Sequence, residues 1–187
     1  AKGRTQEIER LVARSLRAAV DLEELGPIAL NVDCDILNAD GGTRCASITA
    51  ANLALRLGVR RLIAAGVCLP KNMRPTEEQR RSGWSPPVLS REEQMAHEMR
   101  VMEHDVAAIS VGLIDGKSYL DLDYNLDSNA DVDMNVVKVS NGAFVEVQGT
   151  GEESTYQREE LDALLDMADI GFEALFEMQK TILHGQE

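Results

Sequence analysis

Five consecutive residues, Asp40-Gly41-Gly42-Thr43-Arg44, bring together backbone freedom, a hydroxyl and a guanidinium. Adjacent glycines let the backbone approach a ligand closely, Thr43 offers a hydroxyl, and the planar fork of Arg44 matches a phosphate. If a helix begins here, its first N–H groups and the positive end of its dipole complete an anion seat. The same residues also suit an ordinary turn with a helix N-cap, and the local sequence leaves both readings open. A second concentration of chemistry is acidic: between Leu120 and Asn135 lie Asp121, Asp123, Asp127, Asp131 and Asp133. Residues two apart share a strand face, so Asp121 is expected beside Asp123 and Asp131 beside Asp133, with Asp127 in the connection. Carboxylates forced together raise a pKa or attract a cation, which suits general acid–base or metal-assisted chemistry. A solvated acidic hairpin is the alternative.

Other constellations carry less. Asp127, Asn129 and Asp131 imitate the start of an EF-hand loop, but Val132 stands where the turn glycine belongs and Lys138 where the bidentate glutamate does. His97, His104 and His184 have neither triad nor zinc spacing. Cys45 follows Arg44, yet no histidine base neighbours it in sequence, so it reads as buried filler rather than a nucleophile. Cys34, Cys45 and Cys68 form no CxxC, and three cannot pair off internally, so reduced thiols are expected.

The elements that must position these residues follow from periodicity. Ile8, Leu11, Val12, Leu16, Ala19 and Val20 predict one amphipathic helix over 5–25, closed by Gly26-Pro27, with Arg10, Arg14 and Arg17 along a solvated or partner-facing stripe. Ile28, Leu30, Val32, Cys34 and Ile36 alternate as in a half-buried strand, and 43–65 reads as a second helix, so the glycine pair joins strand to helix. Four of the five prolines and the only tryptophan fall in 68–104, which reads as a surface excursion with a short helix at 91–103. Strands are expected at 106–114, 119–124, 131–139 and 143–148, as an antiparallel meander with tight turns at Asp115-Gly116 and Asn141-Gly142. A last helix, 157–183, turns Leu161, Leu164, Leu165, Ala168, Phe172, Leu175 and Met178 inward. This order of elements is an α+β sandwich, because the sheet needs helices over its apolar face.

At 187 residues the chain suits one domain, and 44% hydrophobic with 27% charged residues describes an ordinary globular protein. No run of about 18 apolar residues occurs and the N-terminus lacks a signal-peptide core, so a soluble cytoplasmic protein without membrane contact is expected. A net charge of −13 argues against a nucleic-acid partner, whose affinity comes mostly from Lys and Arg. The charge is uneven, however. Residues 1–65 hold 9 basic and 8 acidic side chains, whereas 115–187 hold 4 and 17.

Gly3-Arg-Thr-Gln-Glu-Ile-Glu-Arg-Leu11, Asp33-Cys-Asp-Ile-Leu-Asn-Ala-Asp-Gly-Gly-Thr-Arg-Cys-Ala-Ser-Ile-Thr49, Leu120-Asp-Leu-Asp-Tyr124, Val132-Asp-Met-Asn-Val-Val137 and Phe144-Val-Glu-Val-Gln-Gly-Thr-Gly-Glu152 closely resemble ribonuclease PH. The resemblance covers about residues 3–67 and 105–183. It implies a ribonuclease-PH-like α+β sandwich, here without the N-terminal strands and with an insertion at about 70–102. It also implies a phosphorolytic 3′→5′ exoribonuclease that trims RNA, tRNA 3′ ends in particular, with inorganic phosphate as co-substrate and nucleoside diphosphates as products. Its partners would be RNA rather than DNA, and copies of itself in a hexameric ring of dimers. Carried over residue by residue, Arg4, Thr43 and Arg44 hold the phosphate, and Asp127 and Asp133 are the catalytic carboxylates, with room for Mg²⁺ beside them. Leu126 stands where the family has glutamate, and Cys45 where threonine is common. A non-catalytic ring subunit or RNA-binding scaffold and a carboxylate-rich metal hydrolase are the alternatives.

Overall fold

Val106–Ile114, which forms strand β1, is buried almost throughout because its two faces both meet helices. The computed structural model describes residues 2–151 and 154–185. Val106 and Ala108 point into a core shared with α1 (Lys2–Ala19) and α3 (Thr43–Ala64), while Ala107, Ile109, Val111 and Leu113 point into a second core under α7 (Arg158–His184). The sheet is thus a middle layer, and α7 contributes Leu164, Ala168 and Phe172 to it. The α+β sandwich expected from the order of elements is the fold observed.

β2 (Lys117–Leu120), β3 (Val132–Val139) and β4 (Phe144–Gly151) complete the antiparallel sheet, in the order β2-β1-β3-β4. It is two hairpins joined through β1 and β3 rather than a simple meander. Asp115 and Gly116 both have positive φ, 49° and 71°, the geometry of a tight two-residue hairpin. The Asn141-Gly142 turn is instead a three-residue loop, with Gly142 at φ 91° and Val139 bonded to Ala143. Because β2 is short, it leaves the lower edge of β1 uncovered. Side chains finish that edge: Thr49 bonds both backbone groups of Ala108, Asn52 accepts from the Val106 N–H, and Gln179 donates to the Val106 carbonyl.

Several sequence expectations change. The first helix ends at Ala19, because Asp21 caps a separate turn, α2 (Leu22–Leu25), by accepting from the N–H groups of Glu23 and Glu24. Among the described residues, 28–36 form neither helix nor ladder, since alternation specifies a strand's faces and not its partner; Val32 and Ile36 remain 38% and 46% exposed. Residues 121–124 leave the sheet, and Asp123 instead caps α6 (Tyr124–Asp127) through the Leu126 N–H. On α7, Met178 is exposed and Gln179 takes the buried place.

The 68–104 stretch is also more than a surface excursion. After a 3₁₀ turn (Lys71–Met73) and the exposed α4 (Glu77–Arg81), α5 (Arg91–Val101) returns to the core with a Ser90/Glu93 capping box. Cys68, Leu69, Leu89, His97, Val101 and Met102 are all buried. A buried ionic network locks α5 to α3: Arg56 bonds Glu98 (3.0 Å), Asp105 (2.8 Å) and the Met102 carbonyl (2.8 Å).

His97 is fully buried, with Nε2 3.6 Å from Cys68 Sγ and Nδ1 3.9 Å from Glu24. Burial, helped by the charge of Arg100, holds its pKa below the ordinary 6.5 against the opposing pull of Glu24. Between that lowered value and 6.5 the unfolded chain binds the extra proton, so stability falls as pH drops through the window. We expect the urea midpoint to decline from about pH 7 toward pH 5, with a flatter decline in His97→Gln. Equal slopes in the two proteins would exclude His97 as the cause.

Candidate active site at the start of the third helix

Gly42 is the N-cap of α3, with φ 67°, a left-handed conformation that glycine adopts without strain. Among the described residues no side chain caps the helix, which leaves its first-turn N–H groups and the positive end of its dipole as the features an anion would use. The loop before it is keyed to residues 121–124. Asp40 Oδ1 accepts from the Gly41 N–H (2.9 Å) and the Tyr124 N–H (2.6 Å). A β carbon on Gly41 would overlap the Leu122 carbonyl oxygen, and the buried Leu122 side chain fills the notch above Gly112.

Thr43 and Arg44, both half-buried, begin the helix. Arg44 Nη1 lies 3.3 Å from Glu7 Oε1 on α1, and Arg4 stands exposed on the same helix one turn before Glu7. Below them, Ser110, Asn135 and Gln148 form a row in register across β1, β3 and β4. Cys45 Sγ donates to Asn135 Oδ1 (3.0 Å). Asp133, half-buried, lies two residues along β3 from Asn135 and therefore on the same face.

The Cys45 thiol reports the electrostatics of this spot. Burial, then the negative charges of Asp133 and Asp121, push its pKa up to about 12, with Arg44 partly offsetting them. Cys45 is therefore a neutral thiol at physiological pH and serves packing, as its sequence context suggested. Arg44 and the two aspartates all act on the Cys45 thiol. Thr43 and Arg44 share the first turn of α3, Arg44 is tied to Glu7 of α1, and Arg4 lies one turn before Glu7 on that helix.

Asp127 is exposed at the end of α6, outside any strand. The face-sharing expected of the other aspartates fails, because Asp123 is a helix cap and Asp131 Oδ2 accepts from the Asp115 N–H (2.8 Å) in the hairpin. Among the described residues no group of three or more His, Cys, Asp or Glu side chains is arranged to hold a metal ion. Sequence reasoning missed Ser110, Asn135 and Gln148. Parity along β3 ties Asn135 to Asp133, but only the register between strands brings Ser110 and Gln148 into line with it.

Two outcomes test this geometry. Gly41→Ala forces backbone from backbone and should destabilise the protein by about 1–3 kcal/mol, read as a lower urea midpoint. Cys34 is exposed while Cys45 and Cys68 are buried, so a thiol reagent should label Cys34 alone in the native state and all three cysteines after unfolding. Rapid native labelling of Cys45 would contradict the site described here.

Comparison with known proteins returns one family for both halves of this site. Residues 1–58 match domain 1 of the 3′ exoribonuclease family, which carries the helix start, and residues 104–171 match its domain 2, which carries the aspartates. Among curated proteins, ribonuclease PH of Corynebacterium diphtheriae is 47% identical over 97% of this chain and 63% of its own length. That of Corynebacterium efficiens is 46% identical over 97% and 62%. The chain therefore spans somewhat under two thirds of these relatives. Among solved structures, rice Rrp46 superposes with a TM-score of 0.59 at 12% identity, over 97% of this chain and 66% of that one. An archaeal exosome core superposes with 0.51 at 17% identity, over 89% and 60%. At such identities these structures speak for the fold.

Proposed function

This chain belongs to the ribonuclease PH family of 3′ exoribonucleases, and we propose that it works as a phosphorolytic 3′→5′ exoribonuclease on RNA. The observation that carries the reading is the N-terminus of α3, uncapped by any described side chain and carrying Thr43 and Arg44, next to Cys45, which bonds Asn135 on the strand that also carries Asp133. Inorganic phosphate would sit on the first-turn N–H groups, held by the Thr43 hydroxyl and the guanidinium groups of Arg44 and Arg4. One of its oxygens attacks the phosphorus of the terminal nucleotide. The new O–P bond forms as the bond to the preceding 3′ oxygen breaks, and Asp133 delivers a proton to that leaving oxygen. The products are a nucleoside diphosphate and an RNA shorter by one nucleotide.

The protein's part is mainly positioning and charge neutralisation, since phosphate needs no covalent activation. Asp127 would serve as the second carboxylate near the scissile linkage. Together the two acids offer the oxygen donors that Mg²⁺ prefers, and such an ion would offset their repulsion of the RNA backbone. The finer reading is of tRNA 3′ ends as substrate, a hexameric ring of dimers as the assembly, and the cytoplasm as the compartment. Among the described residues no helix is long and apolar enough to cross a membrane. Residues 70–102, between the two family matches, are read as an insertion that braces α2 and α3 within a single domain.

An RNA with an unstructured 3′ end, incubated with and without phosphate, tests the function. Nucleoside diphosphates released only with phosphate are expected. Monophosphates would point to hydrolysis instead, and no release would favour a non-catalytic ring subunit or scaffold. Asp133→Asn should slow release by at least about 100-fold while RNA affinity is retained. Unchanged turnover in that variant would remove Asp133 from the mechanism.

A further inference from the structure

Ser110 lies in the middle of β1, on the face turned toward α3, and is 3% exposed. Its carbonyl accepts from the Asp121 N–H (2.8 Å), and it stands opposite Asn135 of β3 in the sheet register. Its hydroxyl is buried and, among the described residues, has no hydrogen-bond partner. A buried hydroxyl left unpaired is a net cost, and alanine, smaller by one oxygen atom, would avoid it.

The direction of that hydroxyl is informative. A β carbon built on Gly42 would stand 3.1 Å from Ser110 Oγ and 3.8 Å from Asp121 Oδ1. The serine therefore rests against the N-cap of α3, the helix start that no described side chain caps. Two sets of unsatisfied donors, the first-turn N–H groups from above and the serine O–H from the sheet below, meet at one place. What satisfies both is an acceptor with several oxygens.

We propose that Ser110 is a substrate-positioning residue whose hydroxyl donates to the phosphate seated on the first turn of α3. This rests on the reading of that helix start as the phosphate site, and adds to it a neutral donor delivered by the sheet. Neutrality suits the place. Asp121 and Asp133 already set negative charge around Cys45, and a hydroxyl fits beneath a glycine N-cap where a long cationic side chain does not. In the reverse direction the terminal phosphate of a nucleoside diphosphate would take the same contact.

Calorimetric titration with inorganic phosphate, against chloride at matched ionic strength, tests this on the wild type, Ser110→Ala and Ser110→Cys. The cysteine variant keeps the volume with a far weaker donor, which separates hydrogen bonding from packing. Both variants should bind phosphate about tenfold more weakly, the scale of one hydrogen bond to a charged group, with unchanged RNA affinity and a thermal midpoint in the absence of phosphate that is no lower than the wild type's. In phosphorolysis the KM for phosphate should rise by the same factor. Equal phosphate affinity in all three proteins overturns the assignment while leaving the exoribonuclease reading intact. A variant that shifts only the unfolding midpoint makes Ser110 purely structural and overturns it too. If the wild type releases no nucleoside diphosphate but loses phosphate affinity in both variants, the Ser110 contact stands and the proposed activity falls. Absence of any phosphate binding by the wild type removes both.

Discussion

At Gly41 the chain passes so close to the Leu122 carbonyl that no β carbon fits between them, and the Leu122 side chain in turn occupies the space left by Gly112 on β1. Residue 122 is held from both sides, and its neighbours are fixed with it. Asp121 bonds back to Ser110, Asp123 caps α6, and the Tyr124 N–H completes the bond to Asp40. Through this contact the sheet half and the helix half of the fold set each other's position at the start of α3. Interiors packed at crystal-like density do not deform gradually, so the position of Thr43 and Arg44 over β3 is as rigid as that backbone contact.

The far end of α3 is held by different physics. There Arg56 is buried among Glu98, Asp105 and the Met102 carbonyl, while Arg60 bonds Glu98 and the Leu183 carbonyl near the end of α7. Buried ion pairs add little net stability, because desolvation offsets most of their attraction. They do specify geometry, since each charge tolerates only the arrangement that pairs it. α3 thus lies between a directional ionic anchor at its C-terminal half and close backbone packing at its N-terminus, where its own donors are left over for a ligand.

The charge distribution has a related logic. An acidic chain repels polyanions on average, yet the region that presents the helix start is close to neutral, with 9 basic against 8 acidic side chains in residues 1–65. The excess acid falls in 115–187, much of it on α7, across the sheet from that helix start. Because screened charges act over only about 10 Å, the local balance matters at the site more than the total.

Much was legible in the sequence. Helical periodicity placed α3 and α7 nearly to the residue, the apolar runs placed β1 and β3, and the Gly-Gly-Thr-Arg run marked where α3 begins. These are local properties, encoded by neighbours within a turn or two. Residues 28–36 show the limit: their alternation is plain, but a strand exists only when a neighbouring strand shares its hydrogen bonds, and among the described residues this stretch joins no ladder. The aspartates show it again, since equal spacing made Asp123, Asp131 and Asp133 look alike. One became a helix cap, one a hairpin acceptor and one a residue on the same face of β3 as Asn135. The sequence by itself determined the elements, their buried faces and the chemistry concentrated at residues 40–44. The tertiary structure alone decided that Leu122 packs on Gly41 and that Ser110 lies beneath Gly42, because close packing joins residues about 70 to 80 positions apart that no local pattern relates.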